Sequence, residues 1–324
     1  GSSGELSKVR NFELREEQQR MAEAVAGALE SQKHLVVEAG TGVGKSLAYL
    51  VPAVQWAVEN KRKAVISTYT INLQEQLMYK DLPILQKILP VEFDAILWKG
   101  RGNFLCPMRL QRAIAHADGL FTSPERAELE RLRIWAERTE NGSLSDLPLE
   151  PDQRVWSEVC SEAHICTTKT CGNNPRCFYQ QARKRLASAD VVVMNHTLFF
   201  LNMTGQGEPE ADSSGYLFGN DFVVFDEAHT VESIAARQIG IGLSQYGLRQ
   251  SLQRLYNPKT KKGVFQVLRQ PDAVREVGSL LDRVDAFFQK VGEKGEFTER
   301  KREVRVRHPD FVEDTLTGPL MDLQ

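Results

Sequence analysis

A glycine-rich segment behind a short apolar run constrains the fold of this chain more than any other feature. The segment Glu38–Ser46 reads EAGTGVGKS and follows the apolar run Leu35–Val37. Glycines let a backbone turn tightly, and the free N–H groups at the start of a helix bind anions. The order predicts a strand over residues 35–37, a phosphate-binding loop, and a helix that begins near Lys45.

The residue types in this loop suit the phosphates of ATP. We expect Lys45 to neutralise the β- and γ-phosphates and the hydroxyl of Ser46 to bind Mg²⁺. Ala39 stands where the strict motif has a glycine, but the cradle comes from the later glycines and from backbone N–H groups. The residues expected to bind nucleotide here are Gly40, Thr41, Gly42, Gly44, Lys45 and Ser46.

A second motif supplies carboxylates. The apolar run Phe222–Phe225 is followed by Asp226-Glu227-Ala228-His229. A buried strand would deliver these side chains to the carboxyl edge of a parallel sheet, where ligands bind. We expect Asp226 to hold Mg²⁺ and Glu227 to act on the attacking water, while His229 links the nucleotide site to a second ligand.

Strands alternate with helices in much of the chain. Short apolar runs at residues 64–67, 95–97, 190–194 and 222–225 are separated by helical patterns. This alternation predicts an α/β fold with a parallel sheet covered on both faces. It stops over residues 100–185, which we interpret as an insertion, and again after His229, where residues 231–290 have a helical pattern.

Composition excludes some classes of protein. The 324 residues include 41 Lys and Arg against 43 Asp and Glu, a net charge of −2, which argues against a generally basic coat for nucleic acid. The sequence shows no apolar stretch of about 18 residues and no export signal, so we expect no membrane association and a cytoplasmic location.

Four of the five cysteines fall between Cys160 and Cys177. Cys166, Cys171 and Cys177 form a compact set, with Cys106 well upstream, and thiolates in a reduced compartment favour a metal site. Zinc and iron–sulfur clusters both accept such ligands, although zinc sites favour narrower pairs than most of these. We hypothesise that Cys160 is a packed apolar residue and not a ligand. Basic residues, among them Arg109, flank the cysteines.

The two motifs together resemble superfamily-2 helicases. The loop and the cysteine insertion are similar more narrowly to the XPD/DinG family of iron–sulfur DNA helicases, nearest its bacterial DinG-like branch. The resemblance runs from about residue 12 to 232. It implies contacts of Arg15 and Gln18 with the adenine side of ATP and of Ser67–Thr70 with the DNA backbone. Asn195–Leu198 matches a family signature for which we assign no role.

The resemblance also implies a domain organisation and cofactors. A RecA-like P-loop domain would comprise residues 1–98 and 186–232, an iron–sulfur insertion residues 99–185, and part of a helical arch-like domain residues 233–324. A second RecA-like domain would lie outside this sequence, so we expect no unwinding by this chain alone. ATP would be the substrate, with Mg²⁺ and a [4Fe–4S] cluster whose ligands are Cys106, Cys166, Cys171 and Cys177.

The expected function is ATP-dependent DNA unwinding, 5′→3′ by resemblance, in DNA repair or replication. The expected partners are single-stranded DNA and forked or tailed duplexes, with RNA–DNA hybrids as a further candidate, and the expected state is a monomer. Two alternatives are a nucleic-acid-stimulated translocase that does not unwind, and a non-catalytic DNA-binding module that senses redox state.

Overall fold

The chain contains a four-stranded parallel sheet in the computed structural model. The structure describes residues 15–40, 44–163, 165–166, 168–172, 174–204, 221–239, 242–298, 302–308 and 310–323. The strands are β1 (Ala64–Thr68), β2 (Ala95–Leu97), β3 (Val191–Asn195) and β4 (Phe222–Phe225). Their order in the sheet is β2-β3-β1-β4, and every pairing is parallel. The predicted α/β class is confirmed.

Sixteen α-helices accompany the sheet in the described residues. They are α1 (Glu16–Glu30), α2 (Lys45–Asn60), α3 (Ile71–Gln76), α4 (Leu82–Ile88), α5 (Pro107–Ala115), α6 (Ala117–Leu120), α7 (Ser123–Ala136), α8 (Gln153–Val159), α9 (Thr168–Cys171), α10 (Phe178–Ser188), α11 (His196–Thr204), α12 (Val231–Ile239), α13 (Gln245–Leu255), α14 (Val264–Val267), α15 (Pro271–Gly295) and α16 (Thr317–Asp322). A π-helical turn, Leu77–Asp81, joins α3 to α4.

Both faces of the sheet are covered, which explains why its strands are almost continuously apolar. Alternate residues of a strand point to opposite faces. Val65 and Val192 pack on one face with residues of α10 and α11. Ile66 and Val193 pack on the other face with residues of α2 and α4.

The chain divides into two compact units. The first comprises Gly1–Cys106, Asn141–Ser145 and Ser161–Ile241, and it contains the whole sheet. The second comprises Pro107–Glu140, Asp146–Cys160 and Gly242–Gln324, with a core between α13 and α15 that includes Leu252 and Leu280. Residues of the predicted insertion occur in both units, and the predicted domain boundaries stay a prediction.

The strand predicted over Leu35–Val37 is wrong for this structure. No described residue pairs with this segment, and the side chain of Val36 is 95% exposed. A run of three apolar residues forms few ladder hydrogen bonds, so its pairing is weakly specified by its own sequence.

None of the helices in the described residues is both long enough and apolar enough to cross a membrane.

Candidate nucleotide and metal site

The predicted phosphate loop leads directly into α2. Gly44 precedes the helix with φ = +82°, a conformation that residues with a Cβ rarely adopt. Its carbonyl oxygen accepts a hydrogen bond of 2.9 Å from Nε2 of Gln18 on α1. A Cβ atom on Gly44 would lie only 2.4 Å from that nitrogen. The backbone conformation therefore favours glycine at position 44, whereas the Gln18 side chain could shift to admit a Cβ atom.

Lys45 and Ser46 occupy the first turn of α2. The N–H groups of a first turn have no partner within the helix and carry its positive dipole end, so this terminus suits a phosphate. Arg15 immediately precedes α1, and Gly40 is the last described residue before the loop. Thr41 and Gly42 lie outside the described residues.

Asp226 follows β4 at the carboxyl edge of the sheet. Its backbone N–H donates to the carbonyl of Ser67 at 2.8 Å, and the Thr68 hydroxyl donates to its Oδ2 at 3.2 Å. Burial raises the pKa of Asp226, and the charge of Glu227 raises it further, against the lowering effects of Thr68 and Lys45. A bound cation would favour the ionised form that burial disfavours.

Glu227 joins the two motifs. Its Oε1 lies 3.3 Å from Nζ of Lys45, and each side chain is about one-third exposed. Its other carboxylate oxygen lies 3.6 Å from Nδ1 of His229, whose side chain is largely exposed. The backbone of Glu227 has φ = +55°, an uncommon conformation for a residue with a side chain and one that often marks functional loops. The two sequence motifs thus meet at one edge of the sheet.

Two further polar residues lie near this site. Tyr49, one turn after Lys45 on α2, is buried, and Ser46 lies close enough to its hydroxyl to lower its pKa against the effect of burial. Burial and then the charge of Asp226 hold its pKa well above the ordinary value. Asp81, at the end of the π-helical turn, is 7% exposed, and burial raises its pKa. The sequence signal for Asp81 was a charged residue beside the apolar positions Leu77 and Leu82.

Three of the predicted metal ligands are close together. The sulfur atoms of Cys106, Cys166 and Cys171 lie within 4.8 Å of one another, and those of Cys106 and Cys166 are 3.6 Å apart. Burial raises the pKa of Cys177, and the charges of Cys166 and Cys171 contribute to the rise. The donor set is all thiol, which fits either zinc or an iron–sulfur cluster.

Protein groups support these cysteines. The backbone N–H of Glu162 donates to Sγ of Cys166 at 3.5 Å, and the Arg101 guanidinium donates to the carbonyl of Cys166 at 3.0 Å. The same guanidinium stacks 4.4 Å above the ring of Tyr179. Hydrogen bonds to sulfur and charges nearby are the features by which proteins orient and tune a metal site.

Cys160 lies outside this group of three close sulfur atoms, as does Cys177. Cys160 instead contacts Arg109, one of the basic residues that flank the cysteines in the sequence. The carbonyl of Cys160 accepts a hydrogen bond from the Arg109 guanidinium, which also donates to the carbonyl of Ser157 at 2.8 Å. Arg109 is buried. Its charge therefore serves the helix pair α5 and α8 and is not presented at a surface.

Comparisons with known proteins find similarity to helicases. A family model described as DEAD/DEAH box helicase matches residues 15–134. The chain is 38% identical over 245 residues to the ATP-dependent DNA helicase YoaA of Haemophilus influenzae, a match that covers 75% of this chain and 37% of the relative. It is 36% identical over 263 residues to the ATP-dependent helicase DinG of Mycobacterium tuberculosis, covering 75% of this chain and 38% of that relative.

A solved structure titled XPD_Helicase aligns with 96% of this chain and 45% of its own, at 16% identity and a TM-score of 0.49. The chain spans under two-fifths of the length of the two curated relatives named above. The resemblance expected from the sequence is confirmed by the family match and by these relatives. Residues 15–134 therefore match the DEAD/DEAH box helicase model, and the chain is similar over about three-quarters of its length to the bacterial helicases named YoaA and DinG.

Proposed function

We propose that this protein is an ATP-dependent DNA helicase that couples hydrolysis to movement on single-stranded DNA and to unwinding, 5′→3′ by family resemblance. The observation that carries the proposal is the approach of Lys45, at the start of α2, to the carboxylate of Glu227 behind β4. Phosphate-binding and water-activating groups must meet in this way for phosphoryl transfer to water.

Each predicted site residue has a role in this proposal. Gly40, Thr41, Gly42 and Gly44 shape the phosphate cradle, and Lys45 neutralises the β- and γ-phosphates. Ser46 and Asp226 bind Mg²⁺, and Glu227 orients and deprotonates the attacking water. His229, beside Glu227, links the hydrolytic site to bound DNA. Arg15 and Gln18 face the adenine side, and the bond from Gln18 to Gly44 connects that side to the cradle.

We further propose that Cys106, Cys166, Cys171 and Cys177 hold a [4Fe–4S] cluster. Support comes from the all-thiol donor set, from the wide spacing of most of these cysteines, and from the family resemblance. The cluster would join Cys106 to a segment about 60 residues later, so its binding free energy would stabilise the fold of residues 99–185. Its role here is structural, and the hydrolytic step does not pass through it.

The proposed partners are single-stranded DNA and forked or tailed duplexes, with RNA–DNA hybrids as a further substrate class. Such proteins bind single strands in a positively charged groove, with aromatic side chains that stack on bases. The proposed organisation keeps the RecA-like domain at residues 1–98 and 186–232 and an arch-like domain at 233–324. The proposed state is a monomer.

Strand displacement by the intact protein tests this function. Forked, 5′-tailed and 3′-tailed duplexes are compared with ATP and Mg²⁺, with Lys45→Ala as the matched control. We expect displacement of forked and 5′-tailed substrates by the wild type alone. If single strands stimulate ATP hydrolysis but no strand is displaced, the protein is a translocase and not a helicase. Absence of stimulation by single strands would contradict both.

A further inference from the structure

His196 is a fully buried polar residue to which the proposed function gives no role. It is the first residue of α11, immediately after β3, and its exposed fraction is 0%. Oδ1 of Asn195 accepts a hydrogen bond of 2.7 Å from the backbone N–H of Leu198, which caps this helix start. The ring of His196 is therefore held at the carboxyl edge of the sheet, beside the ends of β1 and β4.

Ser67 is the polar partner of His196. Oγ of Ser67 lies 2.6 Å from Nδ1 of His196, and one of the two atoms donates a proton to the other. The carbonyl of Ser67 also accepts the N–H of Asp226. The next residue, Thr68, donates to the Asp226 carboxylate. Ser67 and Thr68 thus contact the proposed Mg²⁺ ligand through both its backbone and its side chain.

The surroundings of His196 fix its ring and its charge. The ring centroid lies 5.8 Å from that of Phe225, the residue that precedes Asp226, and Phe225 in turn packs edge-on against Phe199 of α11. Burial lowers the pKa of His196. Nε2 has no hydrogen bond of good geometry within the described residues, and the backbone of Asp226 lies close enough to the ring to raise its pKa against the effect of burial. Since an unpaired buried donor or acceptor is costly, apolar filling alone would favour another side chain at this position.

Ser67 connects the segment expected to contact DNA with the proposed Mg²⁺ ligand Asp226. Ser67 and Thr68 are fully buried, and they begin the segment Ser67–Thr70 that the family resemblance places against the DNA backbone. Tyr69 in this segment is exposed. A displacement of the segment by bound DNA would change the hydrogen bonds that Ser67 and Thr68 make to Asp226. The Ser67–His196 bond ties the side chain at the end of β1 to the start of α11, in addition to the backbone pairing of β1 with β3 and β4.

We infer that His196 is a positioning residue that couples the segment Ser67–Thr70 to Asp226, so that DNA binding aligns the Mg²⁺ site for hydrolysis. This inference rests on the proposed ATPase function. It assigns His196 no contact with nucleotide, metal or DNA. It predicts that loss of the Ser67–His196 bond lowers the rate of DNA-stimulated hydrolysis more than it lowers the affinity for either ligand.

The test uses the intact protein and measures kcat and KM for ATP at saturating single-stranded DNA, together with DNA affinity. His196→Phe fills the space without the hydrogen bond, and His196→Asn retains a polar group near the position of Nδ1. We expect His196→Phe to lower kcat by about tenfold with KM and DNA affinity within about threefold, and His196→Asn to recover most of kcat. If the role of His196 were purely structural, His196→Phe and His196→Asn would lower the fraction of active protein equally. Both variants would also lower the unfolding temperature in proportion.

A double-mutant cycle with Ser67→Ala provides the second measurement, and it uses His196→Leu if His196→Phe does not fold. Coupled residues give non-additive effects, so the double variant should lose no more kcat than the more impaired single variant. Losses that multiply, or an unchanged kcat in His196→Phe, would overturn the inference. Wild-type protein without DNA-stimulated hydrolysis would instead overturn the proposed function, and the two failures are thereby distinguished.

Discussion

The ammonium of Lys45 and the carboxylate of Glu227 lie 3.3 Å apart across 182 residues of sequence. The group proposed to bind phosphate thus lies beside the group proposed to activate water. A γ-phosphate would compete with Glu227 for Lys45. Binding of ATP would therefore release the carboxylate toward the attacking water, so that activation of the water would follow binding of the nucleotide.

Lys45→Ala is expected to lower ATP hydrolysis by at least about 100-fold, because a charge that stabilises the transferring phosphoryl group is lost. The pair is one-third exposed, so its loss should change the free energy of unfolding by no more than about 1 kcal/mol. Steady-state hydrolysis and thermal denaturation measure the two effects. Hydrolysis within tenfold of the wild type would contradict the role of Lys45.

Glu227→Gln is expected to bind ATP normally and to lose about 10²–10⁴-fold in hydrolysis, since the amide keeps the shape of the side chain but not its basicity. Binding of a fluorescent nucleotide and release of phosphate are measured in parallel. A near wild-type rate of hydrolysis in Glu227→Gln would exclude Glu227 as the general base.

Serine variants test the cysteine group one residue at a time. Cys106→Ser, Cys166→Ser, Cys171→Ser and Cys177→Ser should each lose bound iron and visible absorbance, because each removes a proposed thiolate ligand. Cys160→Ser is the matched control and should retain both, since the sequence predicts a packed residue at this position and the thiol of Cys160 donates to the carbonyl of Ser157. If metal analysis finds zinc and no iron in the wild type, the proposed cluster is wrong and the cysteines form a zinc site. Loss of the metal in Cys160→Ser with retention in Cys106→Ser would reverse the ligand assignment.

Lys63 is expected to stabilise the first unit by capping a helix. Its ammonium donates to the carbonyls of Leu186, Ala187 and Ala189, at 3.1, 2.8 and 2.7 Å, at the end of α10. Lys63→Met keeps the aliphatic stem but leaves these carbonyls without their donor, which should cost about 1–3 kcal/mol in the free energy of unfolding. Chemical denaturation measures this change in the free energy of unfolding, and Lys87→Met, at an exposed position, is the control. Equal stability of the two variants would contradict the prediction.

Asp81→Asn is expected to raise the unfolding temperature at pH 7. Because burial raises the pKa of Asp81 in the folded state, its ionised form opposes folding above that pKa. This penalty disappears as the pH falls below the value of about 3.9 for an unfolded chain. The advantage of Asp81→Asn should therefore shrink between pH 7 and pH 4 when its unfolding temperature is compared with that of the wild type. A difference independent of pH would rule out this explanation.

Local features of the sequence were sufficient to predict the four strands of the sheet, and the chemistry of the motifs stays a prediction. Buried parallel strands need apolar residues on both faces, so β1, β3 and β4 appear as apolar runs, and Asp226 and Glu227 follow one of them directly. The same reasoning failed for Leu35–Val37, because an apolar run pairs in a sheet only if a neighbouring strand edge is available to it in the folded chain.

The sequence by itself determined which residue types carry the nucleotide chemistry, since glycine, lysine, serine and carboxylates occur there in a fixed local order. Only the tertiary structure decided which of them touch. The strand order β2-β3-β1-β4 places β1 between β3 and β4, and this is why Ser67 contacts both His196 and Asp226. Such neighbours depend on pairing between segments more than 100 residues apart, and no spacing along the chain encodes them.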